Sequence, residues 1–386
     1  MIRALIICAG LISSSGQSGS PSVSAEAAAA ELEAGRYAQA ERDFRRIVAA
    51  YPEMAEAYTN LGLCYFLQKE YPQAISSFQR GLKLQPDMAN AWLFLGISLF
   101  DLNKPSQAIV PLRRYTDLHA GDVQGHSYLG MSLLSLERYK EAAGELSEAR
   151  RLGPRNTEVL YHLAQCYLHL TRAKGADVEH LKADFQRTVG EIAAIDPDSV
   201  RLHQLKAGFY EADNNSDKAI AELEAAVKDK PHTQGLYYTL GCLYAKKYRY
   251  DEAITQFNAE LALDSPYPRT YLQMGHAYTQ QHEPGKALDF LDKATRAEPE
   301  NPAPWVDKGR IYTMTNHYDK AAAAFERAVQ LGDHTPSTYL LLSTAYRKMG
   351  RMELAQRAAR KSEEATHQRS EKMLELIREK NEKPDK

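Results

Sequence analysis

The feature that most constrains the fold of this 386-residue chain is a regular spacing of its prolines. Two series of prolines recur at intervals of 34 residues or twice 34, and a single interval of 43 residues separates the series. The prolines are Pro52, Pro86, Pro154, Pro197, Pro231 and Pro299. A fixed period of this length is the signature of a repeat protein rather than of two or three globular domains. Because each repeat packs mainly on its neighbours, the whole length can form one stack.

Within one period, apolar and aromatic residues recur at helical spacing in two runs separated by a short polar turn. In the second copy the runs contain Tyr58, Leu61, Gly62 and Tyr65, then Tyr71, Ala74 and Phe78. The pattern predicts two amphipathic helices, the second of which ends at Pro86. Gly62 and Ala74 are small where the two helices would face each other, so the helices are expected to approach closely.

This pattern resembles the tetratricopeptide repeat, a 34-residue unit whose signature is an aromatic residue, Leu-Gly, Tyr, Ala, an aromatic residue, Ala and Pro. Clear later copies contain Tyr237, Leu240, Gly241, Tyr244, Tyr250, Ala253 and Phe257, and then Trp305, Gly309, Tyr312, Tyr318, Ala321, Phe325 and Ala328. The resemblance implies an all-α fold, a right-handed superhelical solenoid of about ten helix-turn-helix repeats. The Ala-rich first copy and the sixth copy, which has His203 at the aromatic position, depart most from the pattern.

The repeats divide the chain into segments. We expect repeats one to five over residues 26–199, repeats six to ten over 200–361, and a capping helix with a tail over 362–386. The fifth copy carries nine extra residues, around 173–179. This insertion either changes the direction of the superhelix or is a longer turn that leaves the stack undisturbed, and the sequence does not choose between the two.

Residues 1–25 have the pattern of an export signal. Arg3 precedes a short apolar run, residues 4–12, and the small residues Ser24 and Ala25 offer a cleavage site. We therefore expect a periplasmic or secreted protein, released from the leader or retained by it as an uncleaved anchor. The alternative is that the leader is only an apolar tail. No later stretch is apolar enough to predict a membrane span in the mature chain.

Charge and motifs argue against several function classes. With 48 Lys and Arg against 50 Asp and Glu, the chain has no overall field that attracts nucleic acid. Zinc-protease, Cys-x-x-Cys, nucleophile-elbow and P-loop motifs are absent from the sequence, so we predict neither an enzyme nor a cofactor. His162, Cys166 and His169 share one helical face, but the repeat register separates them and no fourth ligand is evident, so no metal site is predicted.

The family resemblance also implies a ligand-binding surface, because positions 2, 5, 9, 12 and 13 of each repeat line the concave side of such a superhelix. In the first half these positions are largely apolar, which is typical of a surface for a peptide or protein. The apolar positions are Leu63, Phe66, Leu67, Leu93, Ile97, Phe100, Met131, Leu134, Tyr161 and Leu168. The alternative is that a tight superhelix buries these side chains against one another.

In the second half the same positions are polar and positive, which suits acidic side chains or a carboxylate. They are Tyr238, Lys246, Arg269, His276, Arg310, Arg347 and Lys348. An ordinary solvated face is the alternative. Together these features predict a non-enzymatic, exported adaptor that binds a protein partner in the groove, and a self-associating envelope scaffold is the alternative function.

Overall fold

The computed structural model describes residues 24–172, 177–264 and 267–382, and every regular element in those ranges is an α-helix. Most of the predicted export signal and the start of the predicted insertion lie outside the described residues. The chain divides into two compact units, unit 1 up to Asp213 and unit 2 from Asn214. None of the helices in the described ranges combines the length and apolarity that a bilayer span requires.

Unit 1 contains eleven described helices. They are α1 (Ala25–Glu33), α2 (Tyr37–Ala50), α3 (Ala55–Leu67), α4 (Tyr71–Leu84), α5 (Ala89–Asp101), α6 (Pro105–Leu118), α7 (Val123–Ser135), α8 (Tyr139–Leu152), α9 (Thr157–Arg172), α10 (Val178–Ile195) and α11 (Val200–Ala212). Each helix packs on the next, and α11 also packs on α9.

Unit 2 contains nine described helices. They are α12 (Ser216–Asp229), α13 (Leu236–Lys246), α14 (Tyr250–Leu261), α15 (Thr270–Gln280), α16 (Pro284–Ala297), α17 (Ala303–Met314), α18 (Tyr318–Gln330), α19 (Pro336–Lys348) and α20 (Met352–Glu382). Consecutive helices again pack on one another. The predicted all-α fold of successive helix pairs is therefore confirmed.

In most helix pairs, a residue with a left-handed backbone conformation lies two positions after the end of the first helix. These residues lie 34 apart within two series, Gly35, Lys69, Asn103 and Glu137, then Asn214, Tyr248, His282, Asn316 and Gly350. The left-handed turn lets the backbone N–H of Glu70 donate to the carbonyl of Tyr65 at 2.8 Å, which satisfies a carbonyl at the end of α3. The turn therefore carries the same 34-residue period as the prolines.

Small residues allow the paired helices to approach closely, as predicted for Gly62. A Cβ atom built on Gly62 would lie 2.7 Å from the ring of Phe78, and one on Gly309 would lie 2.5 Å from Phe325. Both phenylalanines are fully buried. Since real Cβ contacts are not that short, glycine is required where each ring meets the preceding helix.

Two helices differ from the others in length. The even-numbered helix of the fifth repeat, α10, has 18 residues, and its predicted apolar stripe buries Phe185, Val189 and Ile192. The last helix, α20, has 31 residues and runs without a break through the predicted boundary at residue 361. The predicted capping helix is thus the second half of α20 and not a separate element, because no glycine or proline interrupts residues 352–382.

Candidate functional site

The face of unit 1 formed by α3, α5, α7 and α9 contains all ten predicted apolar groove residues. Five of them are buried within the core of unit 1, and the alternative interpretation expected burial of this kind. These five are Leu63, Leu93, Ile97, Tyr161 and Leu168. The other five are half-buried and form what we call the apolar row: Phe66, Leu67, Phe100, Met131 and Leu134. The surface available to a ligand is accordingly narrower than the sequence indicated.

Two residues of the apolar row make aromatic contacts with the next odd-numbered helix. The ring of Phe66 in α3 lies 5.0 Å from Phe94 in α5 and 6.0 Å from Tyr71, measured between ring centroids. Further along, Phe100 in α5 contacts the edge of Tyr128 in α7 at 5.8 Å. Tyr71 and Tyr128 were not among the residues predicted for this face. The signal for Tyr71 was the tyrosine that recurs at the first residue of many even-numbered helices.

One carboxylate lies among these rings. Asp101, the last residue of α5, accepts a hydrogen bond from Tyr71. Although Asp101 remains solvent-accessible, crowding by its surroundings desolvates the carboxylate and raises its pKa above the ordinary value, while the hydrogen bond from Tyr71 lowers it. The pKa of Tyr128 is raised by burial and by the negative charge of Asp101. The face is therefore apolar with an anionic point among its rings.

A cavity of about 500 Å³ opens on this face between α7 and α9. Its apolar part contains Met131, Leu146 and Val159, and its polar part can offer hydrogen bonds to a peptide backbone. The polar lining is Asp122, Gln124, Ser127, Tyr128, Asn156, Glu158 and His162. The arrangement suits one apolar side chain of a ligand together with the adjoining main chain.

The three potential metal ligands of α9 do not converge. His162 contacts Gln165 at 3.2 Å and Glu158 at 3.4 Å, whereas His169 stacks on Tyr139 with ring centroids 4.4 Å apart. Cys166 is fully buried, and burial raises the pKa of its thiol to about 12. Desolvation lowers the pKa of His169. Within the ranges that the structure describes, no three His, Cys, Asp or Glu side chains form a group suited to a metal ion.

The odd-helix face of unit 2, formed by α13, α15, α17 and α19, is less positive than the sequence indicated. His276 and Arg310 share the carboxylate of Asp307, at 2.5 Å from His276 Nε2 and 3.5 Å from Arg310 Nη1. A cavity of about 430 Å³ adjoins this cluster and is also lined by Thr279, Gln280 and Met314. The sequence pattern did not indicate that Asp307 contacts predicted basic residues on two successive odd-numbered helices.

The remaining predicted residues of unit 2 are spread over its face. Tyr238 is half-buried against Tyr267, with ring centroids 4.7 Å apart, and desolvation raises its pKa to about 12. Arg269 lies 3.9 Å from Glu298. Exposed basic residues lie at the ends of α13 and α19, namely Lys246, Arg347 and Lys348.

Two exposed apolar residues of unit 2 were missed by sequence analysis. Leu340 is 55% exposed and Met314 is 61% exposed. They occupy positions 5 and 13 of their repeats, which the family resemblance assigns to the groove. The face of unit 2 therefore combines separate apolar side chains with charges, whereas that of unit 1 has the apolar row.

Comparisons with known proteins agree on the repeat. A family model described as tetratricopeptide repeat matches residues 26–87, 70–123, 129–183 and 210–268. Two further models of the same description match 278–335 and 336–366. No curated protein is similar enough in sequence to count as a relative.

Solved structures show a likeness in fold alone. A tetratricopeptide repeat protein from Parabacteroides merdae is 15% identical with a TM-score of 0.53, and the match covers 64% of this chain and 93% of that one. Yeast Tom70 is 16% identical with a TM-score of 0.45, and the match covers 88% of this chain and 84% of that one.

Proposed function

Because the chain belongs to the tetratricopeptide repeat family, whose fold is typically non-catalytic, we propose that it is an adaptor that binds a peptide segment of a partner protein. The binding surface is the odd-helix face of unit 1. The observation that carries this proposal is the apolar row, five half-buried side chains on α3, α5 and α7, of which Phe66 and Phe100 also make aromatic contacts with the next odd-numbered helix. Apolar surface of this kind supplies affinity when a ligand covers it.

The cavity between α7 and α9 gives the ligand its register. Met131 contacts an apolar side chain, while Gln124 and Asn156 bond to the adjoining main chain. On unit 2, Arg347 and Lys348 attract acidic residues of the partner, and long-range attraction of this kind favours orientation and association rate more than affinity. Apolar contact on unit 1 therefore accounts for most of the binding energy.

The test is affinity capture from the envelope fraction of the native organism, with the full chain as bait. The comparison bait carries Phe66→Asp, Phe100→Asp and Leu134→Asp, which place charges in the apolar row. We expect this bait to capture at least about tenfold less of a partner protein than the wild type does, as for loss of central interface contacts. A matched control is Val110→Asp, because Val110 is 70% exposed on the even-numbered helix α6.

Circular dichroism of each bait checks that the helices remain folded. Identical capture profiles for the wild type and a folded triple variant contradict the assignment of the face. Loss of capture with Val110→Asp as well would show that the effect is not specific to the apolar row.

We also propose that the protein acts after export. The support is the sequence of residues 1–25, in which Arg3 precedes an apolar run of signal length. Fractionation followed by mass spectrometry of the N-terminal peptide is the test. We expect the chain in the envelope or the medium, and a chain confined to the cytoplasm contradicts export.

Self-association is the second candidate function, and one observation favours it. The second half of α20 exposes Met373 and Leu374, which are 62% and 56% exposed. The hydrogen bond from Ser362 to the carbonyl of Pro336 lies at the start of α19, so the later part of α20 extends past that helix. Light scattering over a range of concentrations tests this function, since a strict monomer excludes it.

A further inference from the structure

A second cavity lies on the even-numbered helices of unit 1, away from the apolar row. Its volume is about 840 Å³, and it is formed by α8, the loop that follows it and the C-terminal end of α10. The lining residues are Ser147, Arg150, Arg151, Pro154, Arg155, Glu191, Ala194 and Ile195. We call it the arginine cavity, because three of its eight residues are arginines and one is acidic.

The hydrogen bonds of the first two arginines leave donors available. Arg150 binds Glu191 of α10 side-on, through Nε at 2.9 Å and through Nη2. Arg151 binds Glu148 in the same way, through Nε at 2.9 Å and Nη2 at 2.5 Å. A guanidinium group has five N–H donors, and this geometry leaves both hydrogens of each Nη1 atom without a partner among the described residues.

The third arginine is less constrained. Arg155 is exposed, and its side chain has no ion pair or hydrogen bond with any residue that the structure describes. Arg155 lies in the loop between α8 and α9, four residues after Arg151. The cavity therefore combines two oriented guanidinium groups with one that is free to close on an anion.

Apart from Ser147, the rest of the lining is apolar. Ile195, the last residue of α10, is 44% exposed, and Pro154 and Ala194 lie beside it. A free phosphate or carboxylate ion would fill only a small part of about 840 Å³ and would leave this apolar wall in water. A peptide with an acidic side chain next to an apolar one satisfies both parts of the cavity at once.

From this juxtaposition we propose that the arginine cavity binds an acidic peptide segment in which carboxylate side chains alternate with apolar ones. The carboxylates bind the Nη1 atoms of Arg150 and Arg151 and the guanidinium group of Arg155. An apolar side chain of the segment covers Ile195. This site is separate from the apolar row, so it does not depend on the function proposed for that row.

The probe is a fluorescein-labelled peptide of about six alternating Glu and Leu residues, and its binding to the full chain is followed by fluorescence anisotropy. The double variant Arg151→Gln with Arg155→Gln keeps the pair of Arg150 and Glu191. We expect its affinity for the probe to fall by about tenfold, as for loss of a charge-assisted contact. Arg114→Gln is the matched control, because Arg114 is an exposed arginine of α6 outside the cavity.

Two further comparisons separate the possible results. A peptide of alternating Gln and Leu is expected to bind at least about tenfold more weakly than the Glu and Leu peptide, since it lacks the charges. Raising the salt concentration is expected to weaken binding of the charged probe, because salt screens the interaction of its carboxylates with the arginines. The triple variant of the apolar row is expected to bind the probe as the wild type does.

Three results overturn the proposal. The first is unchanged binding in the folded double variant, and the second is equal binding of the Gln and Leu peptide. The third is that the arginine cavity binds free phosphate but not the peptide. In that case phosphate binds the full chain and the peptide does not displace it. If the triple variant of the apolar row loses binding of the probe while the double variant keeps it, the probe binds the apolar row instead.

Discussion

Units 1 and 2 build their helix pairs in the same way but present different odd-helix faces. Gly62 meets Phe78 in unit 1 just as Gly309 meets Phe325 in unit 2, and both rings are fully buried. The face residues that remain exposed take no part in this glycine-to-ring contact, and they differ between the two units. The comparison teaches that a repeat protein can have the same core contacts in both units while its exposed residues change from one unit to the next.

The faces also differ in what joins neighbouring odd-numbered helices. In unit 1 the rings of Phe66 and Phe94, and those of Phe100 and Tyr128, are in contact. In unit 2 His276 of α15 bonds to Asp307 of α17. Aromatic contact tolerates an apolar ligand laid over it, whereas a satisfied polar contact must be rearranged before it can serve a ligand. This difference is the physical reason for placing the main binding surface on unit 1.

The largest expected effect tests whether the cores are equivalent. Phe78→Ala and Phe325→Ala each remove a fully buried ring, and each is expected to lower the free energy of unfolding by about 3–4 kcal/mol. Chemical denaturation measures the loss, and hydrogen exchange locates it. Since each repeat packs on its neighbours, we expect lost protection in the unit that carries the change.

Equal losses for the two variants support a common core. A loss below about 1 kcal/mol for one of them would mean that its site collapses around the missing ring, and the two cores would then not be equivalent. Val110→Asp is the control for these measurements, because that exposed position on α6 has no buried contact to lose.

The second prediction compares the cysteines of the two units. Cys64 and Cys166 of unit 1 are fully buried, and desolvation raises the pKa of each thiol to about 12. At about pH 8 only about one such thiol in ten thousand is ionised, and the thiolate is the reactive form. Cys242 of unit 2 is half-buried. We expect an alkylating reagent to modify Cys242 at least about 100-fold faster than the other two.

Peptide mapping by mass spectrometry after brief alkylation reads each cysteine separately. In denaturant all three should react at similar rates, which is the control for reagent quality. Rapid modification of Cys166 in the folded protein would mean that α9 opens without global unfolding, and the odd-helix face of unit 1 would then be less rigid than its packing indicates.

The third prediction applies one substitution to both faces. Asp307 is nearly buried, with a side chain 14% exposed, and it binds His276 and Arg310. Asp307→Asn is expected to lower the free energy of unfolding by about 1 kcal/mol, a value kept small because both partners are substantially exposed. Asp101→Asn is expected to raise it by roughly a few tenths of a kcal/mol, because its carboxylate is desolvated in the fold yet still partly screened by water.

The pH dependence of the Asp101 effect follows from the sign of its pKa shift. The pKa of Asp101 is raised in the folded state above its ordinary value of 3.8, so the folded protein holds this proton more tightly than the unfolded chain. Stability is therefore lost as the pH rises from 3.8 through the folded-state pKa, and the loss is complete above it. Asp101→Asn should match the wild type below about pH 3 and exceed it at about pH 7 in denaturation experiments. A variant that is less stable at neutral pH contradicts the argument.

Much of the fold followed from the sequence because the 34-residue period recurs at core positions. Gly62 and the proline spacing predicted the paired helices, and residues 352–382 contain no helix breaker, so the continuous α20 was also foreseeable. The face was harder to predict. The family resemblance assigns both Leu93 and Phe66 to the groove, yet Leu93 is 1% exposed and Phe66 is half-buried. Their exposure differs because it depends on how closely neighbouring helices pack.

The charge of unit 2 was overestimated for a related reason. The carboxylate of Asp307 contacts His276 Nε2, and the two residues are 31 positions apart in different repeats. Such a pair forms only when the turn of the stack brings the two odd-numbered helices together. A count of basic residues at groove positions does not include the acidic neighbours that this packing supplies.

The last expected effect, comparable in size to that of Asp101→Asn, concerns the left-handed turns that both units share. Lys69 in unit 1 and Tyr248 in unit 2 have φ angles of 63° and 61°, which are unfavourable for side chains with a Cβ atom. Lys69→Gly and Tyr248→Gly relieve this strain but increase the entropy of the unfolded chain. The net gain is expected to be about 0.5 kcal/mol in the free energy of unfolding, measured by chemical denaturation.

The reverse exchange at the same position of the turn sharpens this test. Gly35→Ala and Gly350→Ala should lower the free energy of unfolding, because they add a Cβ atom to a left-handed residue. If both exchanges change stability in the same direction, backbone strain is not what distinguishes these positions. Equal gains in the free energy of unfolding from Lys69→Gly and Tyr248→Gly would show that the turn, like the core, is equivalent in the two units, whereas their odd-helix faces differ.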